Sequence, residues 1–120
     1  MKIYVTHSSS FDYQNELYKP LRESDLNNQH QIFLPHEEQA EPVSSKILIQ
    51  EIDIMLAEVS FPSTGQGIEL GWADAFGTKV LFIHKKDHKY SSSIKIISDD
   101  IFEYNDSADL IGVLSGLLST

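Results

Sequence analysis

The sequence predicts an α/β domain: a five-stranded parallel sheet with helices on both faces and strand order 2-1-3-4-5. Two observations carry this. Short β-branched or apolar runs alternate with longer amphipathic stretches along the whole chain, which is the pattern of repeated strand–helix units. The runs Ile52–Val59 and Lys79–His84 are apolar almost throughout, as strands covered on both faces must be.

The elements follow in order. Lys2–Thr6 is short, β-branched and aromatic, and reads as the first strand. After the polar loop His7-Ser8-Ser9-Ser10, the stretch Phe11–Glu23 places Phe11, Leu17, Tyr18 and Leu21 where a helix would pack them on a sheet. Pro20 kinks that helix or ends its first part. Gln31–Leu34 is a second short strand, closed by Pro35. Residues 36–42 form an acidic loop, and Val43–Glu51 is a helix with Ser44 or Ser45 near its N-terminus. Ile52–Val59 is the third strand, and the chain then turns through Pro62 and Gly65 into an amphipathic helix from about Gly67 to Phe76. Gly77 suits a helix C-cap, and Lys79–His84 is the fourth strand. Lys85–Ser93 is a polar loop, and Ile94–Ile97 is too short to assign. Ile101–Tyr104 is the last strand, and Asp106 or Ser107 caps a closing helix through Leu118. Right-handed crossovers then give a flavodoxin-like or Rossmann-like order, with residues 1–120 as a single domain.

Composition narrows the class. At 120 residues, 41% hydrophobic and 22% charged, the chain is an ordinary globular domain able to bury roughly two-thirds of its unfolded surface. No apolar run approaches the ~20 residues of a membrane span. The start, Met1 to His7, moves straight into a strand, which argues for a cytoplasmic protein. The net charge of −9 disfavours nucleic acid and anionic membranes as partners. Absence of cysteine removes disulfide and thiolate chemistry. Five histidines are present, but only His84 and His88 approach a ligand spacing, across a strand end and a lysine-rich loop, so no metal site is expected.

In the expected order the topological switch point lies between strands 1 and 3, so the loops Thr6–Ser10 and Ser60–Gly67 flank one crevice. That places Tyr4, Ser8, Ser63 and Glu69 together. The small residues Ser63, Gly65 and Gly67 lead into a helix N-terminus, whose free N–H groups suit an anion. Glu69 then stands in the first turn of the helix, ionised by the helix dipole. By position alone it serves equally well as a dipole-favoured surface acid worth about 0.3–1 kcal/mol. A nicotinamide-cofactor fingerprint fails here: Gly65-Gln66-Gly67-Ile68-Glu69-Leu70 has leucine where the third glycine belongs. A receiver domain fails too, because Thr6-His7-Ser8 supplies no acidic residue after strand 1.

The segment DIMLAEVSFPSTGQGIELGWADAFGTKVLFI, residues 53–83, resembles the signature of the nucleoside 2-deoxyribosyltransferase superfamily, and among its members the 2′-deoxynucleoside 5′-phosphate N-hydrolases. The resemblance is weaker elsewhere. It implies that Glu69, in Gly-Ile-Glu-Leu-Gly, is a nucleophile that attacks the anomeric carbon and leaves a glycosyl-enzyme for water or a second base to resolve. It implies that Tyr4 hydrogen-bonds that glutamate, and that Ser8, Ser9, Ser63, Gly65 and Gly67 hold sugar or phosphate. Ser63 stands where the transferases acting on free nucleosides tend to carry aspartate; serine can donate to a phosphate dianion that a carboxylate would repel. The resemblance further implies a homo-oligomer, a dimer in which Ser93 of a neighbouring copy completes the pocket, and no dissociable cofactor.

Two positions depart from the pattern. The hydrolases carry an arginine after strand 1, where this chain has Ser9-Ser10-Phe11. Ser45 stands where the family has the aspartate that helps protonate the leaving base, and serine is no general acid at neutral pH. Asp53 matches a structural acid at the head of strand 3, His36 a histidine found in some hydrolases, and Glu58 reads as structural. The expected activity is cleavage or transfer at the N-glycosidic bond of a (deoxy)nucleoside 5′-monophosphate. Its rivals are a non-catalytic nucleotide-binding module and an NAD-cleaving TIR-like domain, the latter because Ile3-Tyr4-Val5-Thr6-His7-Ser8-Ser9 resembles the opening of such domains.

Overall fold

The computed structural model describes residues 1–37 and 44–119. Five strands, β1 (Lys2–His7), β2 (Gln31–Phe33), β3 (Ile54–Glu58), β4 (Lys79–Lys85) and β5 (Ile101–Tyr104), form one parallel sheet in the order β2-β1-β3-β4-β5. This is the predicted architecture. Strand β1 ends level with β3, Thr6 beside Ala57 and His7 beside Glu58.

The helices are α1 (Lys19–Glu23), α2 (Leu26–Gln29), α3 (Lys46–Glu51), α4 (Thr64–Ala75) and α5 (Ser107–Leu118). A π-helical turn, Gln14–Tyr18, leads into α1. Pro20 explains that widening: it has no N–H to give and its ring crowds the preceding turn. The Glu16 carbonyl accepts the Ser107 hydroxyl instead, at 2.9 Å. The short α2 was not anticipated. Of the expected helix 43–51, Val43 lies outside the described residues, as do residues 38–42 of the expected loop, and the helix begins at Lys46. A 3₁₀ turn, Ser92–Ile96, occupies the stretch too short to assign.

Period-two alternation sorts the sheet into two cores. Ile3, Val5, Ile54, Leu56, Leu81 and Ile83 pack on one side with Leu17, Leu21, Leu110, Leu114 and Leu118. Tyr4, Met55, Ala57, Val80 and Phe82 pack on the other with Ile49, Leu70 and Ala73. Tyr4 therefore faces α3 and α4, and Thr6, two residues on, shares its face. Asp53 ties the strand heads together, its carboxylate accepting the Lys2 N–H at 2.7 Å.

The ends of α4 are set locally. Ser63 is the N-cap, its hydroxyl accepting the Gln66 N–H at 3.3 Å. Gly77, at φ 72°, closes the helix: its N–H reaches the Asp74 carbonyl and that of Thr78 the Ala73 carbonyl, the paired bonds of a left-handed C-cap.

Candidate active site

Where β1 and β3 end, the loops after them part and leave a cavity of about 520 Å³, a size suited to a small molecule. Pro35, Leu48, Ile68 and Trp72 supply apolar wall, and Tyr4, Ser45 and Glu69 supply a polar floor. Ser9, Ser63 and Gly65 line it as well. Among the described residues, no lysine or arginine does.

Glu69 holds the centre through three hydroxyls. Tyr4 donates to its Oε2 at 2.5 Å, Ser45 donates to the same oxygen, and Thr6 donates to Oε1 at 2.8 Å. A carboxylate oxygen has two lone-pair directions. Oε2 has both engaged, whereas Oε1 keeps one free. Oε1 is thus the oxygen able to accept a further contact. Burial, followed by the bond to Glu69, pushes the Tyr4 phenol well above its usual range, so Tyr4 keeps its proton and remains a donor.

The helix dipole plays a smaller part than the sequence suggested. Because α4 begins at Thr64 rather than near Gly67, Glu69 lies in the second turn, and no acid stands in the first. The dipole's effect fades within one turn; the hydroxyls from β1 and from the start of α3 hold the carboxylate instead. Ser45, expected near the cap of its helix, makes no capping bond and gives its hydroxyl to Glu69.

A second network supports the floor. His7 ends β1 and is only 6% exposed. Its Nδ1 lies 2.8 Å from the Ser8 carbonyl, which can only accept, so Nδ1 carries the proton and Nε2 accepts from the Tyr18 hydroxyl at 2.6 Å. The Tyr18 oxygen in turn accepts the His36 N–H at 3.1 Å. Burial lowers the His7 pKa, in keeping with a neutral ring. The Gln66 amide staples the loops from below, donating to the carbonyls of Thr6 and Glu58. Glu58 is buried, accepting the Ser60 N–H at 2.6 Å and the Tyr104 hydroxyl.

The predicted residues divide. Tyr4, Glu69, Ser9, Ser63 and Gly65 meet at the cavity. Ser8 is buried beneath the loop, its hydroxyl accepting the Ser10 N–H at 3.0 Å, and does not line the cavity. Gly67 is used inside α4, its N–H bonded to the Ser63 carbonyl. Ser93 sits exposed in the 3₁₀ turn, away from the lining within one chain. Thr6 was overlooked, although strand periodicity puts it on the face of Tyr4. Trp72, one helical turn beyond Glu69, and the buried Gln66 and His7 were overlooked too. Among the described residues no cluster of three or more His, Asp or Glu suits a metal ion, and no helix is long and apolar enough to cross a membrane.

No protein-family model matches the chain, and no curated protein sequence does. Solved structures do. The CMP N-glycosidase BcmB of Clostridium botulinum superposes with a TM-score of 0.65 at 19% identity, over 96% of this chain and 99% of its own. A 2-deoxyribosyltransferase from Bacillus psychrosaccharolyticus gives 0.65 at 19% identity, covering 92% and 90%. The deoxyribosyltransferase of Leishmania mexicana gives 0.55 at 21% identity, covering 69% of this chain and 63% of that one. The nucleoside 2-deoxyribosyltransferase-like fold is therefore shared across nearly the whole chain, while identities this low speak to fold alone.

Proposed function

We propose that this domain, built on the nucleoside 2-deoxyribosyltransferase-like fold, is an enzyme that cleaves the N-glycosidic bond of a (deoxy)nucleoside 5′-monophosphate, with Glu69 as nucleophile. The single observation that carries this is the carboxylate of Glu69 on the floor of a small-molecule cavity, fixed by Tyr4, Thr6 and Ser45 with one Oε1 lone pair free.

Oε1 attacks C1′, the C1′–N bond breaks with its electron pair moving to the base, and a glycosyl ester of Glu69 remains. Water then attacks C1′ and frees the carboxylate, so configuration is retained. Tyr4, Thr6 and Ser45 keep the carboxylate from rotating, which lowers the entropy lost on reaching the transition state. The flat face of Trp72 and the apolar side chain of Leu48 suit a base. Ser9 and Ser63 suit the 5′-phosphate: the Ser63 oxygen accepts as a cap, yet its hydroxyl proton stays free to be donated. Ser8 and Gly67 shape these loops from behind. Ser93 belongs to the same reading only through a second copy of the chain, closing the open side of the cavity in a homodimer. A cytoplasmic setting, where nucleotides are abundant, is part of it as well.

The test is to incubate the protein with nucleosides, their 5′-monophosphates and NAD, and to measure released base by chromatography. Base from a monophosphate, abolished in Glu69→Gln, is the expected result. Saturable binding with no base released would favour a binding module, and nicotinamide from NAD would favour the TIR-like alternative.

A further inference from the structure

Base departure leaves a proton unassigned. A nucleobase leaves far more readily once protonated, yet Ser45 occupies the place where a carboxylic acid was expected, and its hydroxyl is committed to Glu69. The lining residues can be taken in turn. Tyr4 spends its proton on Glu69. His7 has both ring nitrogens engaged, one with the Ser8 carbonyl and one with Tyr18. The Gln66 amide is held by two backbone carbonyls. Serines, Trp72 and the apolar residues release no proton near neutrality. That leaves His36. It lines the cavity, is half-buried, and stands edge-on to His7 with ring centroids 5.5 Å apart. Its backbone N–H is anchored on the Tyr18 hydroxyl. Among the described residues neither ring nitrogen has a hydrogen-bond partner.

The geometry points to His36 as the group that protonates the departing base, an assignment that rests on the N-glycosidase reading above. The imidazolium gives its proton to the base as the C1′–N bond breaks and the ring nitrogen takes the electron pair. The neutral imidazole then accepts a proton from the water that attacks C1′ on the face the base has left. One turnover returns His36 to its protonated form and Glu69 to its carboxylate. The packing of His7 and Tyr13 on the ring, and the Tyr18 hydroxyl that anchors its backbone N–H, limit its freedom, so the proton is delivered from a fixed side.

The experiment uses two substrates. One is the monophosphate from which the wild type releases base. The other is a 4-nitrophenyl 2-deoxyribofuranoside 5-phosphate, whose nitrophenolate leaves without a proton. His36→Gln and His36→Ala are each expected to lose about 100-fold or more in kcat on the nucleotide and to stay within about threefold of wild type on the nitrophenyl substrate. Glu69→Gln should lose both. Equal losses on the two substrates in both folded His36 variants would overturn the assignment. So would the selective loss appearing instead in Glu38→Gln or Glu41→Gln, whose residues lie outside the described part of the chain. A wild type inert on both substrates would remove the N-glycosidase reading itself, and the role of His36 with it.

Discussion

Replacing Tyr4 with phenylalanine removes one oxygen from the site and little else. The ring is 2% exposed and sits in the core beside Met55, so phenylalanine fills the same space. What disappears is the 2.5 Å bond to Glu69 Oε2. A hydrogen bond to a charged group contributes about 1.5–3 kcal/mol. At about 1.4 kcal/mol per tenfold change, loss of that bond in the transition state predicts a fall in kcat of roughly 10- to 150-fold. Stability should move by less than about 1 kcal/mol, because Glu69 is only partly buried and water can replace the phenol. Ser45 donates to the same oxygen, so Tyr4→Phe and Ser45→Ala should be non-additive when combined. Steady-state base release and thermal melting of the two single variants and the double variant provide the measurement. A Tyr4→Phe protein within twofold of wild-type kcat, with unchanged melting, would refute the view that hydroxyl-fixed geometry at Glu69 drives the reaction.

Other substitutions probe separate parts of the structure. Ser63→Asp keeps a good helix N-cap but faces a phosphate dianion with a carboxylate, at a cost of about 1–3 kcal/mol; KM for monophosphates should rise roughly 5- to 150-fold while free nucleosides are spared. Burial lowers His7 from its ordinary 6.5, so the unfolded chain takes up that proton first. The contribution is complete above pH 6.5 and is lost as pH falls below it until the folded His7 is also protonated. Melting temperature should therefore drop as pH falls below about 6.5, and His7→Gln should flatten that slope. Gly77→Ala forces a side chain into a left-handed conformation at φ 72°, costing about 1 kcal/mol and a few degrees of melting temperature. Its activity should be unchanged, since Gly77 ends α4 at the pole opposite the cavity.

The legibility of this chain varied with the range of the interaction. The strand Ile101–Tyr104 and the end of the closing helix at Leu118 were readable to the residue, and its cap was narrowed to Asp106 or Ser107, of which Asp106 makes the capping bond, because strand composition and an N-cap are written within a few neighbours. The start of α4 was misplaced by three residues: Gly65 and Gly67 suggest a loop, yet the Ser63 cap draws Thr64–Gly67 into the helix. The π-turn before Pro20 and the short α2 were missed as well; at the π-turn, the Glu16 carbonyl that Pro20 leaves without a helical donor is satisfied by the distant Ser107 hydroxyl, which no local pattern reports.

By itself the sequence determined the sheet, its order, and the neighbourhood of Glu69 and Tyr4, because alternating apolar runs leave a parallel sheet few arrangements and the switch point follows from the order. Only tertiary structure decided what holds Glu69. Thr6 and Ser45 are 63 and 24 residues from it along the chain, and no local pattern reports that their hydroxyls converge on one carboxylate. Hydrogen bonds act over about 3 Å of space, and it is the register of β1 against β3 and the packing of α3 on α4 that bring those atoms within reach.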